Sequence, residues 1–307
     1  MKTTFPKRFW QYQKERFPLL AHIPLIAAFT FSAASYSRLC RGVGGFIGWA
    51  DLTLGVFVTV SMFLLVRIFD EFKDREEDRL HRSYLPVPRG LVSLRELKGL
   101  GLAIVGAQIV LIGIFQPRLL LLYGIALGYL CLMGVEFFIP NWLKRHQLAY
   151  IASHMVIIPL IDLYASGLDW RLHHSAPHIG LGWFFAVSFF NGVVLEFGRK
   201  IRTPATEEAN VLSYTRLYGI RGGVLLWIGL MALTAGLATG AAGYVGYGPA
   251  AGWTFGALFT GCSLPGWFFL HRPTERKSKL IEYASAAWTL LMYLSLGGIP
   301  MLFGASV

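Results

Sequence analysis

Charge is what this sequence has least of. Only 15% of its 307 residues are Asp, Glu, Lys or Arg, against about 25% in an ordinary soluble domain. Acidic residues are the scarcest, with 17 Asp and Glu against 28 Lys and Arg, a formal net charge of +11. Long polar stretches are also missing. Apolar runs near 20 residues recur from end to end, each long enough to cross a hydrocarbon core of about 30 Å. A soluble fold of this length has no core large enough to hide so many. The three cysteines, Cys40, Cys131 and Cys262, form no CxxC pair, so neither a zinc site nor a disulfide framework is expected. No small-residue cleavage site follows the first apolar run, so no cleavable signal peptide is expected.

What is present is an all-α pattern of about nine transmembrane helices, over roughly 18–37, 46–69, 96–115, 118–138, 145–165, 178–197, 217–239, 248–270 and 281–303. Placing the N-terminus inside puts 24 of the 28 Lys and Arg on the inner side and leaves Arg38, Arg41, Arg118 and Arg171 outside. That split obeys the positive-inside tendency and puts the C-terminus on the opposite side. It also accounts for the positive charge without nucleic acid, which is not expected as a partner. Long inner loops follow spans 2 and 6. Their spacing suggests one domain, residues 1–307, built of two pseudo-repeated four-helix units plus a ninth helix.

The most informative stretch is RIFDEFKDREEDRLHRSYLPVPRGLVS, from Arg67 to Ser93. Asp70, Asp74 and Asp78 recur every four residues, with Glu71 and Glu77 beside them. On a continuing helix the three aspartates share a face. Like charges at that spacing destabilise a helix by about 0.2–0.5 kcal/mol per pair. A trio therefore asks for a cation, and hard oxygen donors suit Mg²⁺. The plain alternative is a solvated helix end in which Lys73, Arg75, Arg79 and Arg82 pair with the acids. Against it stand the regular spacing, the direct exit from an apolar span, and the turn expected at Pro86, Pro88 and Gly90.

DEFKDREED resembles the first aspartate-rich motif, N-D-x-x-D-x-x-x-D, of the UbiA superfamily of intramembrane prenyltransferases. Asp74 and Asp78 match its later aspartates; Asp70 stands at the Asn and Glu71 at the first Asp. The continuation is similar to that family's R-P-x-x-x-R-P-L-P-x-G-x-I-S stretch at Arg82, Pro86, Pro88, Gly90 and Ser93. The resemblance implies a UbiA-like helical bundle with cytoplasmic active-site loops. It implies Mg²⁺ on Asp70, Glu71, Asp74 and Asp78, a prenyl diphosphate donor, and a lipophilic or aromatic acceptor held within the bilayer. Arg67, Arg82 and Arg89 then join the diphosphate-binding set.

The second motif departs from that pattern. After span 6 the chain reads NGVVLEFGRKIRTPATEEANVLSYTRLYG. Asn191 and Glu196 stand for the first acidic elements, but Arg199, Lys200 and Arg202 follow where further aspartates belong, and Glu207 and Glu208 come later. The site has exchanged negative charge for positive. Glu196 joins Asp70, Asp74 and Asp78 as a candidate catalytic group, while Asn191, Arg199, Lys200 and Arg202 read as diphosphate contacts or as ordinary inner-side flanking charge. Lys144 lies in a stretch similar to the family's P-x-x-K-R, with Ile139 where Tyr is usual. His154 and Asp162 in span 5, and Glu136 near the end of span 4, read more simply as groups satisfied by neighbouring helices. Two further readings stay open. One is a terpene cyclase or phosphoribosyl-type transferase on the same scaffold. The other is a transporter or lipid-binding protein, suggested by the repeat-like halves.

Overall fold

The computed structural model describes residues 4–207, 213–247 and 249–302. Glu208 and the Val211-Leu212 pair of the second motif lie outside them. Among the described residues the regular secondary structure is helical, with no strand. Fourteen α-helices follow one another: α1 Phe5–Arg16, α2 Leu19–Cys40, α3 Trp49–Lys73, α4 Arg75–His81, α5 Leu94–Phe115, α6 Leu120–Gly134, α7 Pro140–Arg145, α8 Gln147–Met155, α9 Ile157–Trp170, α10 Leu181–Arg199, α11 Tyr214–Tyr244, α12 Ala250–His271, α13 Glu275–Tyr293 and α14 Ile299–Leu302. Among the described residues, eight helical segments are long and apolar enough to cross a membrane. The expected span not among them, 248–270, eighth in order, is α12. Its 22 residues reach about 33 Å at 1.5 Å per residue, but glycines, Thr254, Thr260, Ser263 and Pro265 dilute its hydropathy.

Two expected spans end or bend differently. The fourth stops at Gly134, because Glu136, Phe137 and Phe138 all take positive φ (48°, 53° and 61°). Three non-glycine residues in that region carry roughly 1–2 kcal/mol each, so this elbow is held by its surroundings. Phe137 packs edge-on against Tyr129 and His154. The fifth extends to Trp170 but is interrupted between α8 and α9, where Pro159 lacks the N–H of a normal turn.

The chain divides into two compact units. The first comprises 1–30 and 48–172. Within it α3 packs on α5, α6 and α9, and α6 on α9. Small residues permit the close approach: a Cβ on Gly55 would collide with Leu168, and one on Gly134 with Phe69. Buried side chains bridge the spans. Tyr123 donates to Gln108 at 2.8 Å, and Gln108 donates to Ser61 at 2.7 Å and to the Val58 carbonyl at 3.1 Å. In hydrocarbon no water stands in for such partners.

The second unit comprises 31–47 and 173–307. In it α10, α11, α12 and α13 pack in succession, and α13 returns to α10. The Gly- and Ala-rich end of α11 serves close packing, as its composition predicts: Ala238, Ala241 and Ala242 are fully buried, and a Cβ on Gly240 would meet Trp183 at 2.9 Å. Near its start α11 is broken at Gly219, whose φ of 72° suits a residue without a Cβ.

Candidate functional site

The acidic stretch begins on α3 and continues across a bend. Asp74, at φ −89° and ψ 7°, separates α3 from α4. The four-residue backbone ladder survives, since Asp74 N–H donates to Asp70 O at 2.9 Å and Asp78 N–H to Asp74 O at 2.8 Å. The carboxylates nevertheless do not converge. Among the described residues, no three His, Cys, Asp or Glu side chains are close enough together to hold a metal ion. The trio expected on one face is instead sorted by its cationic partners.

One group faces α1. Glu71 and Asp78 are buried, with side chains 1% and 3% exposed. Glu71 accepts from Arg16 Nε at 2.6 Å, from Arg67 at 3.2 Å and from the Tyr12 hydroxyl at 3.4 Å. Asp78 accepts from Arg82 at 3.1 Å and lies 3.8 Å from Arg16. Burial raises the Asp78 carboxyl's pKa, with Arg82 and Arg16 pulling it back, and burial likewise raises the Tyr12 phenol. The other group faces α8. Asp70 lies 3.5 Å from Arg67 and 3.3 Å from Lys73, whose ammonium also donates to the Tyr150 hydroxyl at 2.9 Å. Asp74 stands apart. It is half-buried, and among the described residues its carboxylate accepts no hydrogen bond and makes no ion pair. Burial pushes its pKa up to about 6, with Lys73 opposing and Asp70 and Asp78 reinforcing the rise.

The solvated helix-end reading is thus partly realised. Lys73 pairs with Asp70, Arg82 with Asp78, and the exposed Arg79 with Glu76. A crevice of about 160 Å³ opens beside Glu71 and Asp78, between Arg75, Arg79 and the Val87-Pro88 turn. That is smaller than an organic-ligand pocket of roughly 300–1,000 Å³. The Pro/Gly segment forms the expected ordered turn, with Gly90 at φ 78° and Leu91 N–H donating to Pro86 O at 2.9 Å. Ser93 then starts α5 with a reciprocal cap to Glu96. Arg89 is engaged in this scaffold, donating to Glu15 at 2.7 and 2.9 Å. Lys144 is exposed on α7.

In the second unit, Glu196 accepts from Lys200 at 2.6 Å and from Arg199 on its own helix end. Phe197 stacks on Tyr214 at 3.7 Å, and Lys200 lies over the same Tyr214 ring at 5.9 Å. Arg202 N–H donates to Thr215, and Glu207 accepts from Ser213 and Thr215. Glu196 is therefore neutralised by the basic residues that replaced the expected aspartates. Asn191 differs: it is fully buried in α10, and neither side-chain amide atom has a hydrogen-bond partner. An orphaned buried amide is uncommon and marks a place where a partner belongs.

Residues that sequence reasoning missed are Tyr12, Arg16 and Tyr150. Arg16 counted only as inner-side flanking charge, and a pairing across 55 residues leaves no local pattern to read.

An all-helical chain with eight segments long and apolar enough to cross a membrane, and with carboxylates and arginines at the end of one of them, has the character of an integral membrane protein. The UbiA prenyltransferase family model matches residues 27–297, and the chain belongs to that family. Its fold is similar to the apo structure of a UbiA homolog from Aeropyrum pernix K1, at a TM-score of 0.67 and 16% identity over 88% of this chain and 95% of that one. It is also similar to a structure described as a digeranylgeranylglyceryl phosphate synthase, at a TM-score of 0.57 and 15% identity over 95% and 99% of the two chains. No curated protein matches the sequence.

Proposed function

We propose that this protein is a magnesium-dependent intramembrane prenyltransferase, moving an isoprenyl group from its diphosphate to a lipophilic or aromatic acceptor. The observation that carries the reading is Asp74, a half-buried carboxylate with no direct hydrogen bond or ion pair among the described residues and with the Lys73 and Arg67 charges nearby, one helical turn beyond Asp70 where α3 ends. Such a pair fits Mg²⁺, which commonly takes one or two carboxylates and completes its shell with water and phosphate oxygens. Asp70 and Asp74 would hold the ion. When bound, it supplies positive charge to the diphosphate as negative charge develops on the leaving group.

The chain's own side chains set the remaining chemistry. Arg67 and Lys73 hold Asp70 in place, and Tyr150 fixes the Lys73 ammonium. In the first unit, Lys144 is an exposed cation that would contact phosphate oxygens; in the second, Arg199 and Lys200, which pair with Glu196, and Arg202 and the Asn191 amide are that unit's candidate phosphate contacts. Heterolysis of the allylic C–O bond releases pyrophosphate, and the acceptor's electron pair closes on the isoprenyl C1 with loss of its proton. The charge distribution supports a cytoplasmic N-terminus and cytoplasmic motif loops, with the C-terminus opposite. The hydropathy pattern is that of one module with two four-helix halves and a ninth helix.

Purified protein supplied with Mg²⁺ and prenyl diphosphates of several chain lengths should release pyrophosphate, and Asp74→Ala should abolish the release. Equal rates from both proteins across several acceptors would refute the reading. One observation favours a second chemistry on the same site: Glu196 is ion-paired within its own helix end, so the second motif differs from that of a two-motif transferase. A cyclic hydrocarbon or alcohol formed from prenyl diphosphate alone would identify a cyclase.

A further inference from the structure

We infer that Arg16 is a positioning residue of the acidic motif. It holds Glu71 and Asp78 as structural partners of α1 and so leaves Asp70 and Asp74 as the pair offered to a divalent ion. The inference rests on the magnesium reading above. Four carboxylates, Asp70, Glu71, Asp74 and Asp78, sit among four cations, Arg16, Arg67, Lys73 and Arg82. Their sharing is unequal. Glu71 is 1% exposed and has two guanidinium groups and a phenol on it; Asp78 is 3% exposed and lies between Arg16 and Arg82. A guanidinium does not deprotonate and cannot be displaced by pH. The two acids that meet Arg16 are therefore buried on permanent counter-charges, whereas Asp70, 28% exposed, meets Arg67 at 3.5 Å and Lys73 at 3.3 Å with a face open to the surroundings.

Arg16 comes from outside the motif, on a helix tied down at both ends of the same loop. Arg8 donates to Glu96 at 2.6 and 3.1 Å and to the Leu91 carbonyl at 3.0 Å. Glu15 accepts from Arg89. Beneath these contacts Tyr12 and Phe17 join Leu64, Ile68, Val92 and Leu97 in one apolar cluster. α1 thus braces the motif from the end of α3 to the start of α5. Removal of the Arg16 charge leaves two buried carboxylates with one guanidinium each, Arg67 on Glu71 and Arg82 on Asp78, and this loss of one positive charge creates a second cation site.

The test counts bound Mn²⁺, a spectroscopic stand-in for Mg²⁺, by electron paramagnetic resonance on the full chain in detergent micelles. Wild type and R16K should bind one ion with affinities within threefold of each other. R16Q should take up a second ion, and Mn²⁺ should raise its unfolding temperature more than it raises that of wild type. If Arg16 were only a packing residue, R16Q would lose the same thermal stability with and without Mn²⁺, and that result overturns the inference. E71Q and D78N should keep Mn²⁺ affinity within threefold of wild type, while D74N should weaken it at least tenfold. These arms decide the question alone if R16Q fails to fold. Loss in E71Q or D78N as large as in D74N overturns the role of Arg16 and leaves the magnesium reading standing. Absence of saturable binding in every form, wild type included, overturns both.

Discussion

Replacing Arg16 by Ala removes a guanidinium that is 13% exposed from a Glu71 that is 1% exposed. Taking one partner from a buried ion pair costs about 3–5 kcal/mol, because the other charge is left uncompensated. Glu71 still has Arg67 at 3.2 Å, so the lower end, about 3 kcal/mol, applies. The same helix carries a built-in control. Glu15 and Arg89 also form a two-bond ion pair, but their side chains are 36% and 33% exposed, and such pairs contribute about 0.2–1 kcal/mol. Reversible unfolding in SDS mixed micelles should therefore show Arg16→Ala destabilising the protein by roughly 2 kcal/mol more than Arg89→Ala, the difference between those two ranges. Adding Glu71→Gln to Arg16→Ala should recover more than half of the loss, as expected when the damage is an unpaired charge. Equal small losses from both single variants, or no recovery in the double variant, would refute the argument that burial decides between the pairs.

Two further outcomes follow from packing and charge. Gly198→Ala should destabilise the second unit by about 1–3 kcal/mol through overpacking, because its Cβ would collide with Ser285, which accepts the Trp227 indole N–H at 2.9 Å; a shift in Trp227 fluorescence during unfolding checks it. Arg89 lowers the pKa of Glu15, so the pair's contribution is present above the ordinary carboxylate range and lost as pH falls through it. Wild type should therefore lose stability on acidification that Glu15→Gln does not, measured as the difference between their unfolding midpoints at neutral and acidic pH.

Hydropathy made the spans legible because a membrane crossing demands length and apolarity and little else. It served least well at α12, where small and polar residues lower the mean, and at the Glu136–Phe138 elbow, where three non-glycine residues turn left-handed without a glycine to announce it. The turn at Pro86, Pro88 and Gly90 was readable because a fixed φ and a positive φ each demand particular residue types. Asp70, Asp74 and Asp78 were visible as a periodic set, yet their fates differ because Arg16 reaches Asp78, and Tyr150 the Lys73 that pairs with Asp70, from distant segments. Local spacing reports which groups can share a face; it carries nothing about which cation arrives there first. The Glu196 pairing, by contrast, lies within four residues, so its partners stood in plain sequence although Glu196 read there as a candidate catalytic group and Arg199 and Lys200 as diphosphate contacts or flanking charge.

The most direct measurement is a structure solved with Mn²⁺ and a non-cleavable prenyl diphosphate analogue, with anomalous scattering to place the metal. The account predicts a metal peak about 2.0–2.2 Å from oxygens of both Asp70 and Asp74, bridged to the diphosphate, with Glu71 and Asp78 still on Arg16. A peak liganded by Glu71 or Asp78 with Asp74 unengaged, or diphosphate density remote from the end of α3, would contradict it.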